Sequence, residues 1–183
     1  MAEVKVLIEG YASVDSGGHS CSTIALVKDK NLRMIVDPGT LPDQDLIIEK
    51  LKEEGLTVND IDVVFITHSH MDHYRNIGMF PKAKTLDYWG WWEGDVWSEA
   101  KDNITEDIKL IKTPGHSSDN VTLLVKTDKG NIAICGDVFW KENFPEDDPY
   151  ASDKEKLRES RKKVLEIADY IIPGHGKMFK VKK

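Results

Sequence analysis

Four metal-competent side chains occupy six consecutive positions, His68, His70, Asp72 and His73, and they directly follow the apolar run 63–67. A chain with this pattern has to build a rigid buried strand and then present polar ligands at its carboxyl end, which restricts it to folds that open a site there. In an extended segment residues two apart point the same way, so His68 and His70 converge on one ion. Past the bend, Asp72 and His73 face a second. Imidazole and carboxylate donors suit zinc first, then iron or manganese. Helix capping and surface polarity account for single histidines, and they do not account for this density.

The rest of the chain supplies the frame. Alternation predicts strands over 4–12, 23–27 and 32–36, the last two joined by a turn at Asp29-Lys30-Asn31. The glycine-rich stretch 13–22 between the first two reads as a flap, with His19 in it matching no ligand pattern. Pro42 and Asp43 open a helix to about Glu54, with Gly55 as its stop. A strand over 63–67 follows, so the strand, helix, strand order gives a parallel crossover and a covered sheet. A short helix over 74–80 ends at Pro81, and a strand covers 84–88.

Four of the five tryptophans lie within residues 89–97, a stretch broken by Gly90 and Gly94. This cannot be a regular helix face, so the reading is a loop or irregular hairpin that fills the gap between layers, walls a pocket or makes a homodimer contact. Extended segments over 104–107 and 108–112 lead to Thr113-Pro114-Gly115-His116. A hairpin over 121–127 and 131–135 ends in Gly136-Asp137. After a proline- and acid-rich loop, Ser152 opens a helix with Glu155 as capping-box partner and Leu157, Arg161, Val164, Leu165 and Ala168 as its inner stripe. A short strand over 170–172 ends in Gly174-His175-Gly176.

Composition excludes several classes. The 183 residues are 40% hydrophobic with no apolar run of membrane-span length, so no membrane partner is expected. The start leads into a strand and carries no signal-peptide pattern. Cys21 reads as a loop thiol and Cys135 as a small buried hydrophobe; two isolated cysteines make no disulfide framework and fit a reducing cytoplasm. A net charge of −7 argues against a broad nucleic-acid surface, though a local basic rim is compatible with it. Lys177, Lys180, Lys182 and Lys183 form a solvated tail.

His68-Ser69-His70-Met71-Asp72-His73 has the form H-x-H-x-D-H. With T-P-G-H, G-D and G-H-G following in order, the sequence resembles the metallo-β-lactamase-fold hydrolases, the superfamily of glyoxalase II, lactonases, phosphodiesterases and ribonucleases. The resemblance runs from about residue 4 to 176 and implies an α/β protein, a single-domain four-layer αβ/βα sandwich over 1–183. It also implies two Zn²⁺ ions, one held by His68, His70 and His116 and the other by Asp72, His73 and His175, with Asp137 and a solvent-derived hydroxide bridging them. Two dications against Asp72, Asp137 and hydroxide leave roughly +1, which attracts an anionic or polarised substrate.

Asp72 is the candidate to orient the hydroxide and carry its proton. Asp37, in a D-x-G turn, is expected to brace the ligand loop. Tyr74 and Arg75 depart from the commonest form of the family and are candidates to face the substrate. The chain resembles the minimal members, which include ester, thioester and lactone hydrolases and small ribonucleases, so the substrate is a small molecule or RNA. A mono-iron, oxygen-dependent sulfur oxidoreductase on the same scaffold is the remaining alternative.

Overall fold

A computed structural model describes residues 1–13 and 18–182. In chain order the elements are β1 (Glu3–Ile8), β2 (Tyr11–Ala12), β3 (Ser20–Cys21), β4 (Ile24–Asp29), β5 (Leu32–Val36), α1 (Asp45–Glu53), β6 (Val63–Phe65), α2 (Met71–Tyr74), β7 (Lys84–Leu86), β8 (Trp91–Glu93), β9 (Val96–Ser98), β10 (Ile108–Lys112), β11 (Val121–Thr127), β12 (Gly130–Ile134), α3 (Lys154–Ile167), β13 (Tyr170–Ile172) and β14 (Phe179–Lys180). They make a seven-stranded sheet in the order β1-β4-β5-β6-β7-β8-β9, a five-stranded sheet β10-β11-β12-β13-β14, and a two-stranded ribbon β2-β3.

Strand periodicity sorts the side chains into layers. Ala25, Val27, Val63 and Phe65 meet Leu123, Val125, Ile132 and Ile134 between the two sheets. The alternate positions Leu26, Ile35 and Val64 face outward onto Ile47 and Leu51 of α1. In the second sheet Ala133 and Ile171 face outward onto Leu157 and Val164 of α3. The stacking is therefore helix, sheet, sheet, helix, as the resemblance implies. Each fully buried aliphatic side chain contributes roughly 1.5–3 kcal/mol to holding these layers together. No helix among the described residues is long and apolar enough to cross a membrane.

Among the described residues, parallel pairing is confined to β5-β6, β6-β7 and β12-β13. The ligand-bearing segments leave from the carboxyl ends of β6, β10, β12 and β13, the usual place for a site in sheets of this kind.

Several boundaries differ from expectation, each for a local reason. The first strand breaks at Gly10, where an added Cβ would lie 2.3 Å from Thr23 N, because the chain crosses the backbone of Ser22 and Thr23 before forming the ribbon. That ribbon buries Cys21 completely, so it is a core side chain and not a loop thiol, and burial raises its pKa. Cys135 is buried as expected, just past β12, and its thiol is pushed up to about 12 by burial. β6 stops at Phe65 because the Thr67 amide is drawn to Asp37 Oδ1 at 2.8 Å.

α1 starts at Asp45, with Asp43 closing the turn before it by accepting from the Asp45 amide. α3 is capped by Asp153, whose side chain accepts from Lys156 N, while Ser152 Oγ donates to Gly115 O. In its stripe Ser160 is buried, donating to Pro114 O, and Leu165 is exposed. Residues 104–107 form a turn returning on Ile108 in place of a strand. The tryptophan segment is a regular hairpin, β8-β9, added to the sheet edge; Trp91 packs on the core while Trp89, Trp92 and Trp97 are exposed. Tyr74 packs in the outer core and Arg75 is exposed, and neither lines the metal-side cavity. The expected flap falls in part on residues 14–17, outside the described residues.

Gly115 has φ +141, and a Cβ there would meet Leu157 Cα and N at 2.3 Å. Gly78 has nothing within 4 Å. Gly115→Ala is expected to cost more than about 2 kcal/mol in chemical denaturation, whereas Gly78→Ala should change stability by less than about 1 kcal/mol. Equal effects would contradict the packing of the Thr113–His116 turn on α3.

Candidate metal centre

The ends of β6, β10, β12 and β13 bring all seven predicted residues together. His68, His70, His116 and Asp137 offer donor atoms within 4.8 Å of one another, and so do Asp72, His73 and His175. His19 is exposed and joins neither group. Asp137 stands between the two. Its Oδ2 lies 3.3 Å from His116 Nε2 and 4.0 Å from His68 Nε2, its Oδ1 lies 3.3 Å from His73 Nε2, and His175 Nε2 lies 3.2 Å from Oδ1 and 3.3 Å from Oδ2.

Side chains behind the donors fix their orientation. His73 Nδ1 donates to Asp37 Oδ2 at 2.7 Å, His116 Nδ1 to Asp148 Oδ2 at 2.7 Å, and His175 Nδ1 to Cys21 O at 3.0 Å. Thr67 Oγ1 donates to Asp37 Oδ2 at 2.7 Å and sits 3.1 Å from His68 Nδ1. Engaging Nδ1 in this way leaves Nε2 turned to the centre, the second layer of bonds that orients imidazoles on a metal. Asp37 thus braces the loop as expected and does so with a positive φ of 49°. His70 differs, since its Nδ1 faces His116 Nε2 at 3.0 Å. Asp72 Oδ2 accepts a short hydrogen bond from Ser20 Oγ and lies 3.5 Å from His175 Nε2.

Glycines make room for this packing. A Cβ on Gly174 would lie 1.9 Å from Asp137 Oδ1, and one on Gly136 would lie 2.3 Å from Thr67 Oγ1. Asp148, Thr67, Ser20 and Trp140 were not legible as site residues. The only signal for Asp148 is its place in the acidic run Glu146-Asp147-Asp148, which does not say which carboxylate turns inward.

The residues fit metal ions on the evidence of their unanswered polar atoms. His68 Nε2, His73 Nε2 and Asp137 Oδ1 are buried without a hydrogen-bond partner among the described residues, an arrangement that is costly unless something else satisfies them. His70 Nδ1 and His116 Nε2, 3.0 Å apart, can share a hydrogen bond in the absence of metal and are close enough to converge on one cation. The donor set, imidazoles with carboxylates, is the one zinc takes.

Burial and the neighbouring imidazoles His73 and His116 hold His68 well below its ordinary pKa, against the opposing pull of Asp137. Burial and then His116 lower that of His70. Burial acts the same way on His73, but the Asp137 and Asp37 carboxylates outweigh it and hold the group well above its ordinary value. His175 is likewise raised, with Asp137 overcoming burial. Burial would raise Asp137, yet His175 and His73 keep it well below the carboxylate range.

Without metal, then, His68 and His70 favour the neutral form, while His73 and His175 keep their protons to higher pH than a free imidazole and an incoming ion has to displace them. A raised pKa keeps the proton in competition to higher pH, so metal uptake at the Asp72, His73 and His175 group should release protons and weaken as pH falls. Calorimetric zinc titrations in buffers of different ionisation enthalpy would measure the release; buffer-independent heats would contradict it. Asp148→Asn, which weakens the partner of His116, is expected to lower metal affinity about 10- to 100-fold in chelator competition.

A sequence model described as the metallo-β-lactamase superfamily matches residues 17–175. The chain is 31% identical over 193 residues to metallo-β-lactamase domain-containing protein 1 of Xenopus laevis, covering 98% of this chain and 82% of that one. It is 32% identical over 159 residues to a candidate metallo-hydrolase of Methanocaldococcus jannaschii, covering 81% and 74%. Some curated relatives are longer, and the chain spans 49% of one from Caenorhabditis elegans. In structure it is similar to a candidate metallo-β-lactamase of Thermotoga maritima, with a TM-score of 0.76, 24% identity and coverage of 98% and 99%. Layer order, ligand motifs and matched span agree, and the chain belongs to the metallo-β-lactamase superfamily, a family of metal-dependent proteins.

Proposed function

We propose that the chain is a dinuclear hydrolase, with zinc as its metal, that cleaves an ester, thioester, lactone or phosphodiester bond. The observation that carries this reading is the position of Asp137 between the two groups, with Oδ2 toward His68 and His116, Oδ1 toward His73, and His175 Nε2 within 3.3 Å of both oxygens. A carboxylate so placed can join two cations, His68, His70 and His116 holding one and Asp72, His73 and His175 the other. A single-ion redox site would have no use for the second group. Such an ion pair supplies Lewis acidity and lowers the pKa of water.

The chain's own residues supply the rest. Asp72, half-buried and opening on the cavity, accepts a proton from the attacking water at its carboxylate and returns it to the leaving group. Ser20 holds Asp72 in that position through their hydrogen bond. The cavity, of about 380 Å³, is walled by Ala12, Ser13, Trp140 and Tyr150. Trp140 stacks on Tyr150 at 5.7 Å, and its Nε1–H, buried and without an acceptor among the described residues, is available to a substrate oxygen. These two rings exclude water beside the ligands and favour an acyl or other partly apolar substrate. Two free, buried cysteines are in keeping with a cytoplasmic location.

Elemental analysis should give about two zinc per chain, with turnover of one member of a panel comprising a thioester, an ester, a lactone, a β-lactam, a phosphodiester and RNA. One iron per chain and no hydrolysis would overturn the reading. Asp72→Asn should fold normally and lose at least about 100-fold in kcat, and full activity in that variant would remove Asp72 from the mechanism.

A further inference from the structure

A second cavity, of about 190 Å³, shares no lining residue with the metal-side cavity. Its floor is Ile66 and Ile77 and its walls are the rings of Tyr74, Tyr88 and Trp89. Tyr88 and Trp89 stand edge to face, with centroids 5.1 Å apart and planes 77° from parallel, so they form two adjoining walls of a corner. Trp89 is 62% exposed, an unusual position for the largest apolar side chain when nothing covers it.

Together with Thr85, Ser69 and the buried His68, two carboxylates, Asp87 and Asp119, also line the cavity. Both are held rigidly by the chain. Asp87 Oδ1 accepts from the amides of Trp89 and Gly90 at 2.8 and 3.0 Å, and Asp119 accepts from the Ser69 amide at 3.1 Å and from Ser117 Oγ. Neither is ion-paired among the described residues. Aromatic faces and unneutralised negative charge around an apolar floor define a cation site of a particular kind. A small hydrated ion would have to shed water against Ile66 and Ile77, and three of the four carboxylate oxygens already accept from N–H or O–H donors. A cation wrapped in methyl groups is weakly hydrated, fills the floor and spreads its charge over the rings.

From this geometry we propose that the cavity of Tyr74, Tyr88, Trp89, Asp87 and Asp119 binds a quaternary or methylated ammonium group of a small molecule. Lys112 Nζ, which does not line the cavity, lies 4.2 Å from the Tyr88 ring centroid, so this ring already meets one cation and Trp89 is the wall with most to offer a second. Occupancy would also press on Asp119, whose bond to Ser69 sits between His68 and His70 on the ligand loop. The site does not depend on which bond the metal centre cleaves.

The test titrates tetramethylammonium chloride into the metal-loaded protein, following indole N–H chemical shifts, beside neopentyl alcohol as an uncharged probe of similar shape and sodium chloride as the ionic-strength control. The ammonium salt should shift the Trp89 indole saturably, with neopentyl alcohol at least about tenfold weaker. Trp89→Ala removes an exposed ring and with it the reporter, so affinities of both variants are taken from titration calorimetry; Asp87→Asn keeps an oxygen for the two amides while deleting the charge. Each should weaken binding about tenfold or more while leaving metal content and thermal midpoint unchanged. Equal binding of the neutral probe, or unchanged affinity in both variants, would reduce the cavity to an apolar dent and overturn the proposal, as would shifts no larger than those of sodium chloride.

Discussion

The Asp137 carboxylate, 3% exposed and set among buried imidazoles, is the constraint on which the rest of this structure depends. A buried charge of this kind is tolerable only when positive charge surrounds it. Each sheet end that brings a histidine to it is therefore tied to every other. The carboxyl ends of β6, β10, β12 and β13 have to meet within a few ångströms, which requires the two sheets to face each other with their edges in register. The layers of Val63, Phe65, Leu123 and Ile134 between the sheets hold that register.

Behind the donors lies a second layer of bonds that is nearly as demanding. Asp37 fixes the Thr67 amide, the Thr67 hydroxyl and His73 at once, and so ends β6 and begins the ligand loop in one step. Asp148 does the corresponding service for His116 from the long loop before α3, and the same loop carries Tyr150 over Trp140. The orientation of His116 and the shape of the metal-side cavity are thereby linked through one loop. Gly136 and Gly174 are the spaces this packing needs, since any side chain there would displace Thr67 or Asp137.

Much of the fold was legible because the periodicities are clean. Leu26 and Ile35 outward with Ala25, Val27, Met34 and Val36 inward is the alternation of a sheet packed on both faces, and α1 shows its Ile47 and Leu51 stripe. What went astray was decided by distant contacts. The strand over 4–12 divides because Gly10 passes the backbone of Thr23, and Cys21 is buried because the ribbon folds beneath Gly39, where an added Cβ would lie 2.7 Å from Cys21 Sγ. The α3 cap shifted by one residue because Ser152 was already engaged with Gly115.

The candidate site divides in the same way. Five of the six histidines, with Asp72 and Asp137, announce themselves by falling in short motifs directly after apolar strands, because a strand end is where a chain can hold a ligand rigidly and still expose it. The sequence by itself determined those seven residues, the layer order and the type of chemistry they suit. Only the tertiary structure decided that Asp137 stands between the two groups, that Asp148 of three neighbouring acids reaches His116, and that Tyr74, Tyr88 and Trp89 line one cavity with Asp87 and Asp119. Those relations join residues 32 to 50 positions or more apart in several cases, and they rest on the packing of one layer on another, which local pattern does not encode.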